Sequence, residues 1–125
     1  MRVYFPATIA HIPQALAGDW SPGRGFAVTS RLLDVSAHEE LDLLAEQAID
    51  AAVIESQAAS PDRRVVIVAD IPRGEMSERP EDHPAAVDVS GAIAADAIVC
   101  AFIDEDDASE GDSLMWFGPT ELEQF

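Results

Sequence analysis

The stretch Val65–Asp70, VVIVAD, constrains this chain more than any other segment. Four β-branched residues in a row followed by Ala69, with no polar residue alternating among them, is the pattern of a strand covered on both faces. Such a strand belongs in the interior of a sheet. A chain of 125 residues is long enough to bury one core of this kind, so a single domain over residues 1–125 is expected.

The element best suited to cover that strand is a helix from Ser36 to Ala59. Ser36 and Glu39 have the spacing of a capping box, Glu40, Asp42 and Glu46 favour the positive end of the helix dipole, and Pro61 lies just past the other end. Leu41, Leu44, Ala45, Ala48, Ile49 and Ala52 recur at helical spacing and define the buried side. The alanines on that side predict a close approach to the sheet.

Further strands are expected at RVYFP, FAVTSRLL, AAVDVSG, DAIVCAFID and LMWF, with short helices at HIPQALAG and PTELEQF. Pro6 is expected to close the first strand. GDWSPGRG and RGEMSERPEDHP read as loops. Two strand–helix–strand passages in the first half imply crossovers and parallel neighbours. The fold class is therefore α+β (mixed α/β), a single mixed sheet of five or six strands with one long helix packed on one face and short extra helices. A doubly wound sheet would need more helices than the pattern provides.

Charge narrows the partners. Seven bases, all Arg, stand against 24 acids, for a formal net charge of -17. Clustered cations are what nucleic acids and anionic membranes require, so neither is an expected partner. Absence of Lys removes a Schiff base and the lysine of a P-loop; the all-Arg usage itself reads as genomic base composition. At 48% apolar residues the chain folds despite its charge. Cys100 stands alone in an apolar run, Pro6, Thr8 and His11 interrupt any secretory leader, and no apolar run reaches membrane-spanning length. These features point to a cytoplasmic protein.

Motifs that carry chemistry are sparse. The acidic stretch from Asp104 to Asp112 fails the EF-hand pattern at Ala108, Ser109 and Met115, and reads as a hairpin loop rather than a cation site. His38 and Asp42 share a helical face beside Glu39, but H-E-x-x-H is not completed, so no metal site is assigned. His83 reads as an exposed loop residue. No nucleophile elbow, C-x-x-C or dinucleotide fingerprint occurs, so no catalytic residue and no cofactor are assigned. In the Gly-rich loop Arg24 stands between glycines near Trp20, an arrangement able to clamp a phosphate or carboxylate, and Asp70 closes the interior strand where ligands of open α/β sheets gather. Trp20, Arg24 and Asp70 form the candidate site for a small anionic ligand. Trp116 and Phe117 form the candidate contact surface.

Three segments, MRVYFPAT, RRVVIVADIP and LMWFGPTELEQF, carry a resemblance. Together they resemble a family of small acidic actinobacterial proteins of unknown function, which open M-R-V-Y-x-P-A-T, continue to a V-x-x-A-D-[VI]-P strand, and end on an aromatic strand and an S/T-E-L turn. This chain departs from them in placing Gly118 and Pro119 before Thr120. The resemblance implies a cytosolic domain and carries no activity. The leading expectation is a non-enzymatic interaction or regulatory domain that binds a protein partner or forms a homodimer. The alternative is a domain that binds an anionic metabolite, or a small enzyme, built around Arg24.

Overall fold

A computed structural model describes residues 1–35, 41–59, 63–79, 81–104 and 114–125. Seven strands form one sheet: β1 (Arg2–Ala7), β2 (Arg24–Phe26), β3 (Val65–Asp70), β4 (Met76–Glu78), β5 (Ala86–Val89), β6 (Ile98–Ile103) and β7 (Met115–Phe117). Their order is β4-β5-β2-β1-β3-β6-β7, and every neighbouring pair is antiparallel. Among the described residues three α-helices accompany them: α1 (His11–Leu16), α2 (Ser30–Val35) and α3 (Leu41–Ala59).

The interior strand is as expected. Val65 to Ala69 are all buried, with β1 on one side of β3 and β6 on the other. Full burial of each Val or Ile side chain contributes roughly 1.5–3 kcal/mol before entropy is charged against it. Val66 and Val68 face α3 together with Tyr4, Phe26 and Cys100. Val65, Ile67 and Ala69 face the other side, which α1, Trp20 and the final turn with Leu122 cover.

Parallel neighbours are not found, and the reason is topological. Because β1 pairs antiparallel with both β2 and β3, those two strands run the same way, as a crossover requires. They are nevertheless not neighbours. The passage through α3 carries the chain across β1, which is already inserted between them, and α1 merely returns the chain to an antiparallel neighbour.

Three local expectations are also corrected. The sheet has seven strands rather than five or six, because Met76–Glu78, within the expected loop, pairs with Val87–Val89 as an edge strand. The second strand ends at Phe26, while SRLL begins α2; Thr29 Oγ1 accepts the Leu32 N–H at 3.0 Å and caps that helix, which ends the extended run. Finally, β1 continues through Pro6 to Ala7 and lies at the centre of the sheet. Met1 and Ile71 exchange both backbone bonds, so by antiparallel alternation Arg2, Tyr4 and Pro6 turn their amides away from β3. Only Tyr4 is paired with β2, at Phe26, so the missing Pro6 N–H removes no ladder bond there.

α3 sits close to the sheet on Leu44, Ala48 and Ala52, all buried, with Ala45 and Ile49 half-buried beside them. Ser56 continues that stripe one turn further and is fully buried. Its hydroxyl donates to Ala7 O and accepts from Val65 N, both at 2.8 Å, bridging the end of the β1–β3 ladder. The Ser36–Glu39 capping box and the Leu41 side chain lie outside the described residues.

Candidate functional site

The three residues expected to share an anion site do not share a cavity. Trp20 is buried on the α1 side, edge-on to Phe5 with centroids 5.5 Å apart and stacked on His11 at 5.7 Å. It is a core residue there. Asp70 ends β3 and pairs with Arg2 at 3.2 Å, beside the first residues of β1. The Tyr4–Phe26 register sets Arg24 toward the Pro6 end of β1 instead.

Arg24 lies in β2 rather than in a loop, and its guanidinium is already occupied. Nε and Nη2 grip the two oxygens of Asp82 at 3.0 and 2.6 Å, Nη1 bonds Glu55, and the guanidinium carbon lies 4.8 Å above the Phe26 ring. The Arg24 hydrogen bonds, followed by the His83 backbone N–H, pull the Asp82 carboxyl down to about 2. Arg79 joins the cluster through Asp82 and Asp88. With its charge matched by carboxylates, Arg24 is poorly placed to attract a further anion.

Beside Arg24 is a groove of about 540 Å³, between α3 and the sheet. One wall is a stripe of α3 at helical spacing, Gln47, Asp50, Ala51, Ile54, Glu55 and Ala58, next to the buried stripe. Phe26 and His83 line the other side. His83 does more than fill a loop: its ring stands edge-on to Phe26 at 5.6 Å, and its Nδ1 accepts the Ala85 N–H at 3.0 Å. An Nδ1 that accepts leaves the proton of the neutral ring on Nε2. None of these groove residues was singled out as a ligand residue from sequence except Arg24. The available signal was Ile54, 69% exposed, a large apolar side chain on the helix beside the core stripe.

At one edge of the sheet, β7 pairs only with β6 among the described residues. Trp116 lies across from Phe102 on the α3 side and is 57% exposed; Met115, across from Ile103 on the other side, is 45% exposed. Burial pushes the Cys100 thiol up, and the neighbouring Trp116 acts against that shift. Gly118 leaves room for the indole, since a Cβ there would lie 3.0 Å from Trp116 Cη2. Phe117 turns inward and packs edge-to-face on Phe125, centroids 5.2 Å apart.

The acidic stretch divides. Asp104 is buried and belongs to the fold: its two oxygens accept from Arg64 N, Nε and Nη2, each at 2.8 Å. Those bonds hold its carboxyl below the usual range against the effect of burial. β6 and β7 do pair as a hairpin around this stretch, but residues 105–113 lie outside the described residues, as do His38 and Glu39. Among the described residues no group of His, Cys, Asp and Glu is arranged to hold a metal ion.

These features define an α/β domain with one open antiparallel sheet, a groove under its long helix and an apolar edge. No helix among the described residues is long and apolar enough to cross a membrane. The chain belongs to a family of unknown function, DUF6912, whose model matches residues 1–111. The opening and middle segments of the resemblance fall within that match, and the closing one lies past it. Neither the curated proteins nor the solved structures give a match.

Proposed function

We propose that this domain is a non-enzymatic interaction module, acting in the cytoplasm, that docks an extended basic segment of a partner protein along β7. The observation that carries this reading is the pair of exposed apolar side chains, Met115 and Trp116, on an edge strand whose outer side is unpaired among the described residues. Exposed edges of this kind are normally blunted by charge or proline, and they are also the template for strand addition. Three residues provide about two backbone bonds to an added strand, so side-chain contacts must supply most of the affinity. Trp116, half-exposed and seated over Gly118, is the anchor such a strand would use. The formal charge of -17 disfavours a second copy and favours a cationic strand. The lone Cys100, buried and unpaired, is in keeping with a reducing compartment.

The test is a fluorescence or calorimetric titration with a synthetic ten-residue Lys/Val alternating peptide and its Glu/Val counterpart. The Lys peptide is expected to bind, and Trp116→Ala to weaken it by about tenfold or more, as for a Trp hot spot. Binding that ignores Trp116→Ala, or that favours the Glu peptide, overturns the reading. A concentration-dependent dimer in sedimentation, lost in Trp116→Ala, replaces the basic partner by a second copy.

A further inference from the structure

From the groove under α3 we infer a second binding site, specific for amphipathic organic cations: an apolar or aromatic body bearing an ammonium, amidinium or guanidinium group. The inference is independent of the β7 reading, since the two sites lie on opposite sides of β1 in the strand order.

The shape is set by α3. From Gln47 to Ala58 the stripe runs for eleven steps of the helix, ~16 Å at the usual rise, and gives an elongated trough rather than a closed chamber. Its surface is mostly apolar. Ala51 and Ala58 keep the helix wall low, Ile54 stands out from it, and Phe26 presents its ring below. Sites for small organic molecules share this character, a largely apolar cleft with a few polar groups that fix orientation.

The sign of the ligand follows from the charges around it. Arg24 is the cation of the groove, and its charge is more than matched by Asp82 and Glu55, which it contacts directly. Asp50 adds a third carboxylate from the exposed side of α3. Glu55 gives Arg24 one oxygen, Oε1, and its Oε2 takes no hydrogen bond from the described residues. A ligand ammonium at Glu55 Oε2 gains a charge-assisted bond there and the through-space attraction of Asp50 on the other flank of the stripe, while its body covers Ala51, Ile54 and Phe26. An anion entering the same place meets two carboxylates and finds Arg24 already engaged. The acceptor nature of His83 Nδ1 leaves Nε2–H as the one neutral donor on that wall, suited to a ligand carbonyl or hydroxyl.

Three probes with one body and three charges decide the matter: 3-phenylpropylammonium, 3-phenylpropanol and 3-phenylpropionate, followed by amide chemical shifts in ¹H–¹⁵N spectra of the full chain. The ammonium is expected to shift the Asp50–Ala58 and His83 amides with an affinity at least about tenfold above the alcohol, and the propionate to be weakest. Combined Asp50→Asn and Glu55→Gln is expected to bring the ammonium down to the level of the alcohol. Arg24→Gln, which frees Glu55, leaves Asp82 to Arg79 and uncovers the Phe26 ring, is expected to strengthen ammonium binding severalfold. Trp116→Ala is expected to leave it unchanged. Equal binding of the three probes, shifts that map away from α3, no shifts, or groove shifts by propionate or inorganic phosphate that Arg24→Gln abolishes would each overturn the inference. The charge series on the unaltered chain decides the question even where a variant fails to fold.

Discussion

Gly25 shows how strongly one side chain can be dictated by its neighbours across the sheet. It lies in β2 against β1, and a Cβ at this position would come within 2.6 Å of Val3 Cγ1 and 2.8 Å of Phe5 Cδ1, both fully buried. Gly25→Ala is therefore expected to cost about 1–3 kcal/mol, as overpacking does, read as a lower denaturant midpoint with an unchanged m-value. The sequence suggested turn chemistry for all the glycines around Arg24. That holds for Gly18 and Gly23, whose φ angles are 77° and 78°, but Gly25 is there for close approach. Arg24 was conspicuous in sequence for a related reason, its position between glycines in an acidic chain. What occupies its guanidinium was invisible, because Glu55 and Asp82 lie 31 and 58 residues away and no local pattern links them to it. Trp20 was likewise visible as an aromatic beside a loop, with nothing local to show that Phe5 and His11 enclose it.

At the level of elements, legibility followed the length and strength of the apolar pattern. β3, β6 and α3 are long and strongly patterned, and each lies where its residues indicate. β4 was hidden because Met76, Ser77 and Glu78 have little intrinsic preference for extension; their conformation comes from pairing with β5, a tertiary effect. The antiparallel order was hidden too, since the sequence marks a crossover without revealing which strand already occupies the space beneath it. The alanine stripe of α3 correctly announced close packing but gave no notice of Ser56 on the same face. Ser56 joins two elements, α3 to the ladder end of β1 and β3. Ser56→Ala deletes one hydroxyl and with it two buried bonds, one to Ala7 C=O and one from Val65 N–H, at a ladder end where those two groups are left to each other. The expected loss is about 0.5–1.5 kcal/mol per bond, with faster amide exchange at Val65 as the local signature.

For the molecule as a whole, acid is the informative perturbation. Asp82 and Asp104 are both held below the usual carboxylate range, by Arg24 and Arg64 respectively. A carboxyl whose folded value is depressed contributes stability that is complete above its unfolded value and disappears as pH falls through the folded one. Asp82 places that window between about pH 4 and about 2, so the melting temperature is expected to fall through it, while added salt near neutrality raises it by screening the charge of -17. Asp104→Asn removes the carboxylate that Arg64 grips through three bonds, at an expected cost of about 1.5–3 kcal/mol, and should flatten the acid limb seen in thermal melts. The placement of β1 reaches into biosynthesis. β1 is translated before both strands that flank it, and its partner β3 is completed only at Asp70. At typical elongation rates of about 5–20 residues per second, an apolar ribbon leaving the ribosome waits roughly 3–12 s before its second neighbour exists. Loss of Arg2–Ala7 would not trim a border but divide the sheet in two.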